Sequence, residues 1–124
     1  MLFRSEVIEA VQQSVDLIVE HAAELPDEEV VGAVLLDGFT VRLVNEAPDR
    51  TKRMVVSPSQ LTHLDSLVAI YHSHPGGQEL PSVTDELGHS PIPMVIVTPV
   101  VLILWWYSEA TGYYRLWDTH YGIE

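Results

Sequence analysis

Between Ser5 and about Leu25 the apolar residues Val7, Val11, Val15, Ile18, Ala22 and Leu25 recur at steps of three and four, with Glu9, Gln12, Asp16 and Glu20 between them. This spacing predicts one amphipathic helix, which Pro26 ends because its ring cannot continue the helical hydrogen bonding. After the acidic triplet Asp27, Glu28 and Glu29 comes an apolar run from Val30 to Leu36. Asp37-Gly38 reads as a two-residue turn, and Phe39, Val41 and Leu43 then alternate with Thr40 and Arg42, so a β-hairpin is predicted. Lys52 to Val56 is expected to form a short strand and Ser57-Pro58 to open a short helix reaching Leu64. Leu67 to Tyr71 is a buried strand that runs directly into His72. Gly76 to Pro81 is loop, Ser82 to Leu87 a helical turn opened by a Ser-x-x-Asp cap, and Met94 to Thr98, Val100 to Tyr107 and Tyr113 to Trp117 are strands. The order of elements implies an α/β (α+β) fold, a single mixed, mostly antiparallel sheet packed by helices, with residues 1–124 forming one domain.

Composition narrows the function classes. The 124 residues, 47% of them hydrophobic, suffice for one core. Six Lys and Arg against eighteen Asp and Glu leave a net charge of −12, which repels phosphate backbones and anionic lipid, so neither nucleic acid nor membrane is an expected partner. The most apolar stretch, Ile92 to Tyr107, is broken by Pro93 and Pro99 and is shorter than the roughly 20 residues of a membrane span. Glu6 and Glu9 stand where a signal peptide needs an apolar run, and a cytoplasmic location is expected. Because there is no cysteine, any metal must be held by His, Asp or Glu.

The candidate chemistry centres on His72-Ser73-His74-Pro75. Side chains two apart on a strand share a face, so the imidazoles of His72 and His74 can converge while Ser73 faces away. Pro75 and Gly76-Gly77 end the strand at once and leave the pair at a sheet end, within reach of solvent. Asp85, in the first turn of the next predicted helix, is the natural third ligand, and two His with one carboxylate leave a fourth tetrahedral position for water. Hydrolysis at such a site needs a base for the water proton, and Asp27, Glu28, Glu29 and Glu79 are all chemically suited.

The segment from His72 to Asp85, read as H-x-H-P with a seven-residue spacer from His74 to Ser82 and then S-x-x-D, resembles the signature of the JAB/MPN (JAMM) zinc metallopeptidases. Glu29-Val-Val-Gly32 is similar to the E-x-x-G of that family's first strand, which selects Glu29 among its acidic neighbours. The resemblance extends from the first helix to about Trp117 and implies a cytidine-deaminase-like architecture. It further implies Zn2+ held by His72, His74 and Asp85, Glu29 as general acid/base, and Ser82 helping to hold the oxyanion. The implied substrate is a peptide or a small ubiquitin-like protein. The stretch from Asp85 to Pro91 is short and the long ubiquitin-gripping insertions are absent, so the compact bacterial and bacteriophage members are the nearer likeness. A non-catalytic module binding a protein partner, for example in phage tail assembly, is the alternative within the same family.

The remaining histidines, His21, His63, His89 and His120, read as surface or packing residues, with His120 in the tail. Trp105, Trp106, Tyr107, Tyr113, Tyr114 and Trp117 are expected to fill the core and one sheet face. A cupin is the unrelated competitor, since His72-x-His74-x4-Glu79 partly fits its metal motif. Ser66 and Glu86 stand where a cupin needs glycine, and a long N-terminal helix suits a jelly roll poorly.

Overall fold

The computed structural model describes residues 3–62, 64–80, 92–108, 110 and 112–121. Helix α1, Arg4–Glu24, follows the predicted span closely. Its start is held by half of a capping box, in which the Glu6 carboxylate accepts the Phe3 N–H at 2.8 Å. Its buried stripe is Val7, Ala10, Val11, Ser14, Ile18 and His21, rotated slightly from the purely apolar stripe so that a serine and a histidine face the sheet.

The strands β1 (Val31–Leu35), β2 (Thr40–Leu43), β3 (Leu67–Ser73), β4 (Met94–Val97), β5 (Val101–Ser108) and β6 (Gly112–His120) form one six-stranded sheet in the order β2-β1-β3-β4-β5-β6. Only β3 and β4 pair in parallel, and every other neighbour is antiparallel. The mixed, mostly antiparallel α+β sheet is thus as expected. Strand β4 is buried at all four positions because both sheet faces are covered there, which explains the unbroken apolar run that led to it.

Period-two alternation divides the interior in two. On the α1 side Val7, Val11 and Ile18 pack on Val34, Tyr71, Val95, Leu102 and Leu104. On the other side Val31, Ile70, Met94, Ile96 and Ile103 are covered by Met54, Val56, Leu61 and Leu64 from segment 44–64. Each fully buried aliphatic side chain contributes about 1.5–3 kcal/mol relative to exposure, so both layers contribute to holding the sheet between them.

Three local expectations are corrected. The hairpin turn has three residues, Leu36, Asp37 and Gly38, rather than two: Gly38 N–H donates to Leu35 O, Leu35 N–H to Phe39 O, and Gly38 takes a φ of 88°. That is the type I turn followed by a left-handed glycine, which shares the Asp-Gly signal with the two-residue form. The helix expected from Ser57 to Leu64 shrinks to a 3-10 turn, Pro58–Gln60. Here the Gln60 side-chain amide accepts from Val44 N–H and donates to Val44 O, both at 2.8 Å, extending β2 as a strand would and anchoring the segment there. Lys52 to Val56 makes only a bridge, Glu46 N–H to Val55 O, because the Asn45 side chain occupies the backbone groups of Arg53 and Val55. Of the helices expected to pack the sheet, α1 is the one α-helix among the described residues.

Candidate metal centre

The register of β1 against β3 builds the site. Val31 pairs with His72 and Gly32 with Tyr71, and Ser73 N–H donates to Val30 O at 3.0 Å. Continuing the antiparallel ladder two residues brings Glu29 opposite His74, on the face away from α1. Glu29, His72 and His74 are all buried, and their candidate ligand atoms lie within 4.8 Å of one another. The Nε2 atoms of the two histidines are 2.9 Å apart.

The turn after β3 sets the orientation of the His74 ring. Pro75 supplies the φ suited to the second position of a turn, Gly77 N–H closes it on His74 O at 2.9 Å, and Gly77 takes a φ of 87°. The reversal carries Gln78 O to 2.7 Å from His74 Nδ1. A carbonyl only accepts, so Nδ1 carries the hydrogen and Nε2 is the ring atom turned to His72. The loop beyond is tied to the sheet by Trp105 Nε1–H donating to Glu79 O at 3.1 Å and by Arg115 beside the Glu79 carboxylate at 3.4 Å.

Glu29 is positioned through its backbone. Its N–H donates to Arg50 O at 2.7 Å, and its carbonyl accepts from Asn45 Nδ2 at 2.7 Å. Ser73, on the α1 face between the two histidines, clasps the residues on either side: Val30 N–H donates to Ser73 Oγ at 2.9 Å, and Ser73 Oγ–H donates to Glu28 O at 3.2 Å. The position that turns Ser73 away from the imidazoles therefore makes it the clamp on the acidic residue opposite them. Sequence reading passed over Asn45, whose side chain alone bonds Glu29, Arg53, Ala47 and Val55, because a loop asparagine carries no periodic signal.

Behind the site, Tyr71 and His21 join β3 to α1, with the Tyr71 hydroxyl 2.6 Å from His21 Nδ1. Burial, assisted by Arg42 and opposed by Glu24, lowers the His21 pKa, and burial pushes the Tyr71 phenol above its ordinary range. Neutral Tyr71 therefore donates to neutral His21. His21 is a packing residue, as expected. His120 ends β6 rather than lying in a tail, and is exposed, while His63 and His89 lie outside the described residues.

A cleft of about 690 Å³ opens beside the triad, lined by Glu29 and His74 together with Thr51, Lys52, Gln78, Glu79 and Leu80. Ser82 and Asp85 lie outside the described residues. Two imidazoles and a carboxylate, buried together with no thiolate in the chain, are the nitrogen and oxygen donor set that zinc accepts, and the His74 tautomer fits such a role.

The family of prokaryotic homologs of the JAB domain matches residues 11–118. The chain belongs to this family. The matched JAB region takes in most of α1 and the sheet almost to the end of β6, and so includes Glu29, His72 and His74. No curated protein and no solved structure shows a significant match to this JAB-domain chain. No helix among its described residues is long and apolar enough to cross a membrane.

Proposed function

We propose that this JAB-domain protein is a zinc-dependent metallopeptidase or isopeptidase, with Glu29 as general acid/base, His72, His74 and Asp85 as metal ligands, and Ser82 donating to the developing oxyanion. The observation that carries the reading is the convergence of Glu29, His72 and His74, buried at one end of the sheet, with Glu29 and His74 lining a cleft. Membership of a domain family that includes hydrolases supports it. The substrate is a peptide or a small ubiquitin-like protein whose extended tail can enter the cleft.

Zinc, when bound, supplies a Lewis acid that polarises the scissile carbonyl and brings the pKa of water toward about 7. His72 and His74 would hold it through Nε2, with His74 oriented by Gln78 O. Glu29 accepts the proton of the attacking water and returns it to the departing amine nitrogen, a role worth about 10²–10⁴ in rate. Its backbone bonds to Arg50 and Asn45 keep the carboxylate in place through both transfers. The Ser82 hydroxyl then stabilises charge on the carbonyl oxygen as it develops.

The test compares wild type with Glu29→Gln for zinc content and for cleavage of peptide-linked and ubiquitin-like substrates. The reading expects about one zinc in each protein and cleavage by wild type alone. Zinc in both with cleavage by neither would favour the non-catalytic assembly module, and a folded protein that takes up no zinc would defeat both the ligand set and the mechanism.

A further inference from the structure

Half of the six Lys and Arg residues of this acidic chain, Arg50, Lys52 and Arg53, fall within four consecutive positions. The others are engaged: Arg4 lies over the rings of Trp106 and Tyr114, Arg42 makes a two-pronged pair with Glu24, and Arg115 pairs with Asp118 and with the cleft residue Glu79. The clustered three are exposed, and Lys52 is the one cation among the described residues that line the cleft beside Glu29 and His74. It forms no ion pair with the described residues, and Arg50 reaches Glu28 only at 3.8 Å. The acids of the same loop are held by neutral donors and keep their charge, Asp49 by the N–H and hydroxyl of Thr51, with Lys52 near enough to favour its ionised form, and Glu46 by Ser57 and Gln60.

The loop is also fixed relative to the site. Arg50 O receives the Glu29 N–H, and one Asn45 side-chain nitrogen donates to both Glu29 O and Arg53 O. The backbone that presents the three cations is therefore the backbone that positions Glu29. In a molecule of net charge −12 an anionic chain is repelled almost everywhere, so an exposed cation at the edge of the cleft discriminates between substrates by where their charge lies.

We propose that Lys52, flanked by Arg50 and Arg53, is a specificity element that binds a substrate carboxylate within a few residues of the scissile bond. The proposal rests on the peptidase reading for the position of that bond. The carboxylate comes either from an acidic side chain or from the free end of the substrate chain.

The probes are two labelled ten-residue peptides of one sequence, the first with two Asp/Glu residues flanking its centre and the second with Asn/Gln there, each made with a free and an amidated C-terminus. Fluorescence anisotropy follows their binding to zinc-loaded Glu29→Gln protein, which retains substrate without turnover. For exposed charges acting together, the acidic peptide should bind about tenfold tighter in low salt, with the preference falling below about twofold at 0.5 M salt. Lys52→Gln/Arg53→Gln should abolish the preference while leaving zinc content and thermal unfolding unchanged, both side chains being exposed, and single Lys52→Gln should remove most of it. A preference for the acidic sequence that survives amidation assigns the carboxylate to side chains, whereas a loss of affinity on amidation that is equal for both sequences and absent in the Lys52→Gln/Arg53→Gln protein assigns it to the chain end. Equal binding of all four peptides, a charge dependence indifferent to the variants, or no measurable binding of the acidic peptide at millimolar concentration would overturn the proposal. Wild-type cleavage of all four peptides at equal rates would defeat this inference and leave the peptidase intact. A charge preference lost in the variants, with no cleavage by wild type, would do the reverse.

Discussion

Gly32, the last residue of Glu29-Val-Val-Gly32, has a reason for being glycine that lies across the sheet rather than in its own backbone. It pairs with Tyr71, and a Cβ built on it would come closer than 3.0 Å to Cζ, Cε2 and Oη of that ring. The ring cannot retreat, because it is fully buried and its hydroxyl is held by His21 on α1. Gly32→Ala therefore forces an overpacking strain of about 1–3 kcal/mol. If the ring tilts, the buried Tyr71–His21 bond is lost at about 1–3 kcal/mol. The better strand character of alanine recovers about 0.5–1 kcal/mol, so the net cost should be near 3 kcal/mol. For a chain of this length each kcal/mol lowers Tm by about 4 °C, giving a fall of about 12 °C. Urea unfolding of Gly32→Ala in the wild-type and Tyr71→Val backgrounds isolates the clash, since without the ring the added methyl should be neutral or slightly stabilising. A cost below about 1 kcal/mol in the wild-type background, or an equal cost in both, would refute the packing argument.

Ser73→Ala should destabilise by about 1–3 kcal/mol by stranding the buried Val30 N–H, and should lower kcat by about 10- to 100-fold with zinc content intact, because it releases the clamp around Glu29. Gly77→Ala meets open space yet must hold a positive φ, at about 1–2 kcal/mol, and should weaken zinc binding about tenfold in a chelator competition as Gln78 O leaves His74; Gly77→Asn, which tolerates that φ, should recover most of the loss. His21, whose pKa is lowered mainly by burial, binds its proton more readily in the unfolded chain, so its stabilising contribution is complete above the unfolded value near pH 6.5 and is lost as pH falls through the lower folded value. Urea unfolding at pH 7.5 and pH 5 should show a smaller acid-side loss in His21→Gln than in wild type, and parallel losses would contradict the linkage.

The sequence was most readable where a single period governs a residue's environment. Steps of three and four found α1, and a step of two found the His72 and His74 pair. The same rules could have placed His21, three residues beyond Ile18 on the buried stripe, had the stripe been read by position rather than by polarity. Where a side chain replaces a backbone partner, periodicity carries no information: Asn45 holds what looked like a strand from Lys52 to Val56, and Gln60 holds what looked like a helix from Ser57 to Leu64. Glu29 could be separated from Glu28 only by family likeness, since its proximity to His74 depends on a β1–β3 register that no local pattern specifies. Ser73 shows the complementary case, in which facing away from the histidines was legible and the clamp it forms there was not.

X-ray absorption spectroscopy of zinc-loaded protein tests the central assignment most directly. Wild type and Glu29→Gln should share one first shell of about two imidazole nitrogens near 2.0–2.1 Å with oxygen completing four-coordination, and His72→Ala/His74→Ala should bind no stoichiometric zinc. A shell without imidazole in wild type, or loss of zinc on Glu29→Gln alone, would contradict a centre in which the two histidines hold the metal and Glu29 moves the proton.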